Sequence, residues 1–285
     1  MDLPSSLAPL GRSGDDGLDR WFDGLLVRTA RLGPHLRPAP YIARPFGSLT
    51  RPALAVTGRL PDGASTSDLA AAVRATFVTQ PGALADIAAA DERLARLEAL
   101  YPGIVPVLVT DPFTALVRSI SAQQVNLRWA AVVRRRLAER FGTRHSVAGE
   151  MVFSLHPEPL AEATVDELRA LQLTTSKAVS VIACARAGVS RALEPARLAA
   201  MSDEELIAHL TLLPGIGRWS AEWFLARTLG RPRVVAGDLG VRKAVGRLYG
   251  AAGLPSEDEV RRLTAHWGPA ASVAQTLALH DLATA

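Results

Sequence analysis

Two short segments hold the residues best suited to chemistry. The run Leu212-Leu213-Pro214-Gly215-Ile216-Gly217-Arg218-Trp219-Ser220-Ala221 reads as a tight turn leading into a helix. Downstream, Ala236-Gly237-Asp238-Leu239-Gly240-Val241-Arg242-Lys243 places one carboxylate on a glycine-flanked loop. Gly215 and Gly217 can adopt positive φ and leave their amides unobstructed. With Arg218 and the first amides of the following helix, through Ser220, they form a concave set of donors that suits a phosphate oxygen. Such contacts position a nucleic acid without reading its sequence. Asp238 is a candidate catalytic acid beside that grip. An aspartate just before a helix is equally an ordinary N-cap. Gripping phosphates, however, gives no use for a carboxylate that faces polyanionic DNA.

The chain around these segments has 285 residues and is 48% hydrophobic, enough for one large or two ordinary domains with packed cores. Net charge is +4, and the whole excess falls after residue 108. A basic excess confined to one region fits a polyanionic partner, although an excess this small also occurs on ordinary surfaces. One cysteine, Cys184, excludes an internal disulfide and an all-cysteine metal cluster. The six histidines are scattered, without metal-ligand spacing. The absence of a long apolar run and of a secretion-type leader gives the expectation of a cytoplasmic protein with no membrane contact.

Residues 1–18, rich in Pro, Ser, Gly and Asp, are expected to be a flexible tail. Residues 19–108 read as a small α+β domain. Leu25–Val27, Pro40–Ala43 and Ala53–Thr57 are short apolar runs suited to strands. Asp68–Phe77, capped by Ser67, and Ala83–Leu100 are expected helices. Residues 109–285 read as a helical domain with no strand after Pro106. Asp111-Pro112 starts one helix and Leu127–Phe141 forms another. Thr164 with Glu167, and Ser202 with Glu205, have capping-box spacing. Helices are also expected over Ser176–Ala187, Trp219–Leu229, Val241–Leu248 and Ser256–Trp267. The fold class is therefore mainly α, a helical array preceded by a small α+β domain.

The Leu-Pro-Gly-Ile-Gly-Arg run resembles the hairpin of the helix–hairpin–helix DNA glycosylases, and within them the 3-methyladenine DNA glycosylase II branch for alkylation repair. Asp111-Pro112-Phe113 through Gln123-Gln124-Val125, and Gly237-Asp238-Leu239-Gly240-Val241-Arg242-Lys243, resemble two further motifs of that branch in the same order. The similarity covers roughly residues 109–270 and is specific, because three separated motifs keep the family's order. It implies a bacterial-type monomer that binds damaged double-stranded DNA, extrudes a base and hydrolyses its N-glycosidic bond, with Asp238 as the catalytic carboxylate. Relatives that also cut the backbone carry a lysine nucleophile two residues after the second hairpin glycine. Trp219 stands there instead, so the resemblance implies a water-using enzyme without lyase activity. By the same resemblance Trp219 and Trp223 line the base pocket, where a cationic base would stack on them. Core packing is the other reading of Trp223. Gln124 takes the place of the side chain that wedges into the duplex, or, with Gln123, simply ends a helix. No cofactor is required. A structural Na or K ion is implied on the backbone carbonyls of Thr211, Leu213 and Ile216. Ala270-Ala271-Ser272 departs from the branch, which has an aromatic and an arginine before Ser; this puts the substrate range in doubt. A glycosylase for oxidised or deaminated bases, and a non-catalytic DNA-binding protein that kept the hairpin, are the alternatives.

Overall fold

Asp2 accepts the Ser5 amide and Pro4 occupies the first turn, so a helix forms where a loose tail is expected. This is α1 (Leu3–Arg12), and its Leu3 and Leu7 are buried. The computed structural model describes residues 1–79 and 83–285. After α1 come β1 (Arg20–Phe22), β2 (Leu25–Leu32), β3 (Arg37–Gly47) and β4 (Pro52–Gly58), an antiparallel meander in the order β1-β2-β3-β4. The expected strands fall on β2, β3 and β4. Next is α2 (Thr66–Arg74), whose capping box uses Ser65 and Asp68 rather than Ser67. One continuous helix is expected from Ala83 to Leu100, but there are two, α3 (Ala83–Ala88) and α4 (Glu92–Leu100). Between them Asp91 accepts the amides of Arg93 and Leu94 and starts a new helix.

The helical part begins with α5 (Pro112–Ala122), capped by Asp111, and α6 (Leu127–Phe141), capped by Asn126. A hairpin of β5 (Thr143–Val147) and β6 (Glu150–Ser154) then interrupts it, contrary to the expectation of no strand after Pro106. Its turn residues Ala148 and Gly149 both have positive φ, as a two-residue hairpin turn requires. There follow α7 (Pro157–Ala161), α8 (Val165–Ala170), α9 (Thr175–Val189), α10 (Pro195–Ala200), α11 (Asp203–Thr211), α12 (Arg218–Arg227), α13 (Leu239–Tyr249) and α14 (Glu257–Leu263). A 3-10 segment over Ala265–Ala270 leads into α15 (Ala271–Thr284).

The expected boundary at 108/109 does not separate the cores. One face of the sheet packs Leu26, Ala30 and Tyr41 against α1 and α2, while Leu25 and Val27 meet Val147 and Val152 of the hairpin. Leu94, Leu97 and Ile104 pack with Val235, Val241, Trp267 and Leu277. Leu18 joins α5, α6 and α9 in the main helical core. Charge stitches the same junction. Asp16 takes Arg134 Nε at 2.8 Å and Arg118 Nη2 at 2.9 Å, and Asp19 takes Arg118 Nη2 at 2.6 Å and Arg28 Nε at 2.5 Å. All five side chains are mostly or wholly buried.

Burial alone raises the Asp16 carboxyl, but Arg118 and Arg134 outweigh it and lower it from 3.8 to about 2. Its contribution to stability is therefore present above the unfolded pKa and lost as pH falls from about 4 to about 2, an amount of about 2 kcal/mol. Asp16→Asn leaves two buried guanidinium groups short of a carboxylate and is expected to cost about 3 kcal/mol at pH 7. Urea denaturation at pH 7 and pH 2.5 checks both: the gap between wild type and variant should narrow at the lower pH, and a pH-independent gap contradicts the account.

Candidate active site

The hairpin joins α11 to α12. Gly215 needs to be glycine twice over. Its φ is 75°, and a Cβ there would lie 2.0 Å from Ser180 Oγ on α9. Gly217 differs from expectation: its φ is −94°, ordinary extended backbone, and nothing lies within 4 Å of where its Cβ would be. Its small size leaves the mouth of the hairpin open. Gly217 is also the N-cap of α12 and supplies no side-chain acceptor, so the first-turn amides stay without a cap. Ile216 is buried and anchors the turn, while Gly215, Gly217 and Arg218 face solvent. Ser220 does not: its side chain is buried, with the hydroxyl 3.4 Å from Gln123 Nε2, and its expected place among the phosphate donors rests on its backbone amide in the uncapped first turn.

Arg218 is aimed by a group that the motif reading missed. Glu222, one turn on, is 1% exposed. It accepts Arg218 Nε at 3.1 Å, Arg233 Nη2 at 3.1 Å and Arg261 Nη2 at 2.9 Å. The i,i+4 spacing of Arg218 and Glu222 is visible in the sequence; the other two arginines come from distant loops and helices.

Asp238 is both an N-cap and a presented carboxylate. Oδ1 accepts the Val241 amide at 3.0 Å, which begins α13. Oδ2 accepts Trp219 Nε1 at 3.2 Å. The side chain is half-buried, and each oxygen is held by a single donor. Gly240 makes room for it: a Cβ at that residue would sit 3.0 Å from Oδ1. The loop before Asp238 is fixed from below, because buried Gln275 on α15 accepts the Val235 amide at 2.7 Å. At the end of α12, burial pushes the Arg227 guanidinium below its usual range, against the pull of the Asp238 carboxylate.

Trp219 and Trp223 share a face of α12 and are both half-buried. Trp219 packs on the C-terminal core with its ring N–H on Asp238. Trp223 packs against both large cores. Ala270 and Ala271, where stacking side chains are absent, are both buried, Ala271 within the C-terminal core. Gln124 is exposed on the turn after α5 with φ 55°. Its neighbour Gln123 donates Nε2 to Gly215 O at 2.9 Å, which ties that turn to the hairpin. Thr211 ends α11, where carbonyls lack helical partners. Leu213 O accepts the Ile216 amide at 3.1 Å and keeps a second lone pair. With Ile216, these carbonyls are of the type a monovalent cation takes. A separate cavity of about 410 Å³, lined by Arg31, Asp111, His156 and Arg191 among others, lies at the opposite end of α5 from Gln124 and includes no hairpin or Asp238-loop residue.

Comparison with known proteins follows this geometry. The family model described as "HhH-GPD superfamily base excision DNA repair protein" matches residues 117–270, more than half of the chain. A DNA-3-methyladenine glycosylase of Bacillus subtilis is 27% identical over 184 residues, 64% of this chain and 61% of that protein. The chain thus spans less than two thirds of the length of the curated relatives that it matches. The solved 3-methyladenine DNA glycosylase of Archaeoglobus fulgidus aligns with a TM-score of 0.82 and 25% identity, covering 98% of this chain and 94% of that one. A Schizosaccharomyces pombe 3-methyladenine DNA glycosylase in complex with abasic DNA aligns with a TM-score of 0.60 and 25% identity, covering 69% of this chain and 94% of that one.

The two roles of Asp238 are separable. Asn caps a helix about as well as Asp, whereas Ala does not. Asp238→Ala is expected to lose about 1 kcal/mol of stability and Asp238→Asn less than about 0.5 kcal/mol. Urea unfolding of both variants checks this; equal losses contradict the cap geometry.

Proposed function

The chain belongs to the HhH-GPD superfamily of base excision DNA repair proteins, and from that footing we propose that it is a monofunctional DNA glycosylase that releases alkylated bases from duplex DNA. One observation carries the reading. Asp238 is a fixed, half-buried carboxylate beside an open glycine hairpin, with one oxygen on the Val241 amide and the other on the Trp219 indole.

The hairpin amides and Arg218 bind backbone phosphate and bring the sugar of an extruded nucleotide towards Asp238. Gln124 fills the gap left in the stack. As the bond between base and C1′ stretches, positive charge grows on the sugar, and the Asp238 carboxylate stabilises it and orients the water that attacks C1′. The water passes its proton to the Asp238 carboxylate as the new C–O bond forms, and the electrons of the broken C1′–N bond leave with the base. Among the described residues no second acid is hydrogen-bonded to Asp238. A purine alkylated at a ring nitrogen already carries positive charge, so it leaves as a neutral base without a proton from the protein. The ring of Trp219 offers an electron-rich face to such a cation. The carbonyls of Thr211, Leu213 and Ile216 would hold a monovalent cation, whose charge would add to the attraction for phosphate. Trp219 occupies the position of an amine nucleophile, which supports hydrolysis rather than Schiff-base chemistry.

Release of methylated base from alkylated duplex is the test. Asp238→Asn is expected to bind DNA as the wild type does and to lower the rate at least ~100-fold. A wild type that binds the duplex but releases nothing overturns the enzymatic reading. A second measurement addresses the nucleophile: borohydride should trap no covalent complex, and a trapped complex rules out the water-only route.

A further inference from the structure

Gln124 has a left-handed backbone, φ 55°, which side chains other than glycine adopt only where the surroundings hold them. Among the described residues its own side chain makes no hydrogen bond, so the turn is held from outside. Lys177, in the first turn of α9, donates from Nζ to Ser121 O at 3.1 Å and to Gln123 O at 2.7 Å. The first of these carbonyls belongs to the last turn of α5, where helical partners run out. The second immediately precedes Gln124. Gln123 in turn donates to Gly215 O at 2.9 Å. Three residues further along α9, Ser180 Oγ lies against Gly215 so closely that a Cβ there would be 2.0 Å away. One face of α9 therefore fixes both the turn that bears Gln124 and the hairpin.

Lys177 is one of only two lysines in a chain with thirty arginines. A compact ammonium can reach two carbonyls from one point, which a planar guanidinium does less readily. Among the described residues Lys177 pairs with no carboxylate. Its charge is spent on carbonyl oxygens beneath the turn.

We propose that Lys177 is a positioning residue for base extrusion: it locks the turn so that Gln124 meets the duplex in its left-handed conformation at a fixed distance from the hairpin. It acts on the opening of paired DNA rather than on bond cleavage, since its contacts are with Ser121 and Gln123 and not with Asp238 or Trp219. The proposal rests on the reading of Gln124 as the side chain that fills the vacated stack.

The experiment compares single-turnover base release from a methylated site in fully paired duplex with release from the same site inside a bubble of unpaired bases, where extrusion is already accomplished. The readout is the duplex-to-bubble rate ratio. Lys177→Met, which keeps length and removes the donors, is expected to lower that ratio about 10- to 100-fold. Lys177→Arg should restore part of it. The double variant Lys177→Met with Gln124→Ala should show no further loss beyond the larger single effect, because both act through one side chain. A fall of equal size on both substrates, an unchanged ratio, or additive losses in the double variant overturns the proposal. If Lys177→Met does not fold, Lys177→Arg and Gln124→Ala still decide it: opposite dependence on substrate pairing, with Gln124→Ala affecting only the bubble, overturns it. Failure of the underlying function reading looks different, since wild-type protein then releases no base from either substrate.

Discussion

Five buried charges at the junction of the N-terminal sheet and the helical array constrain the rest of the structure. Arg28, Arg118 and Arg134 share Asp16 and Asp19, and none of these side chains can change partner without leaving a buried charge uncompensated. The cluster sets the position of α5 through Arg118 and of α6 through Arg134. Arg134 also donates Nη1 to Ser121 Oγ at 3.0 Å, at the C-terminal end of α5. From there the chain of contacts continues through Lys177 and Gln123 to Gly215. The Gln124 turn and the hairpin are thus coupled to charges near the other end of the sequence. Such arrangements trade net stability for a defined geometry, and the proposed function, a sugar held against one carboxylate, needs that geometry.

The site itself uses few groups. Asp238 starts α13 and accepts the Trp219 ring N–H on its second oxygen, so the folding role and the proposed chemical role reside in the same carboxylate. Gly240 leaves space for the carboxylate and Gln275 holds the loop beneath it. A single negative charge beside a phosphate-binding hairpin is unfavourable for DNA association alone. It becomes favourable only as positive charge develops on the sugar, which is the condition for stabilising a transition state rather than a ground state.

Local signals in the sequence carried much of this. Asp111-Pro112 and the Thr164/Glu167 and Ser202/Glu205 boxes mark helix starts because the capping side chain and its target amide lie within three residues. The Asp238 cap was legible for the same reason, and the positive φ of Gly215 from residue type, whereas Gly217 takes an ordinary extended backbone. What was illegible depends on distant partners. The first helix looks like a tail by composition; its Asp2 cap and Pro4 are local signals, and the burial of Leu3 and Leu7 against the sheet, which composition does not reveal, holds it in place. The β5–β6 hairpin has just Val147 and Val152 facing Leu25 and Val27, too few to print an alternating pattern. Ser220 belongs to the hairpin motif, yet packing turns it inward onto Gln123. Lys177 has no motif around it, and its partners Ser121 and Gln123 lie more than fifty residues away.

The central claim is that one carboxylate, Asp238, faces the charge that develops at C1′ while Gln124 occupies the emptied stack. A crystal structure with duplex DNA carrying a cationic pyrrolidine in place of the target sugar tests it most directly. The account requires an Asp238 carboxylate oxygen about 3 Å from the pyrrolidine nitrogen, the hairpin on a neighbouring phosphate, and Gln124 inside the duplex. A pyrrolidine held away from Asp238, with another side chain as its partner, contradicts the account.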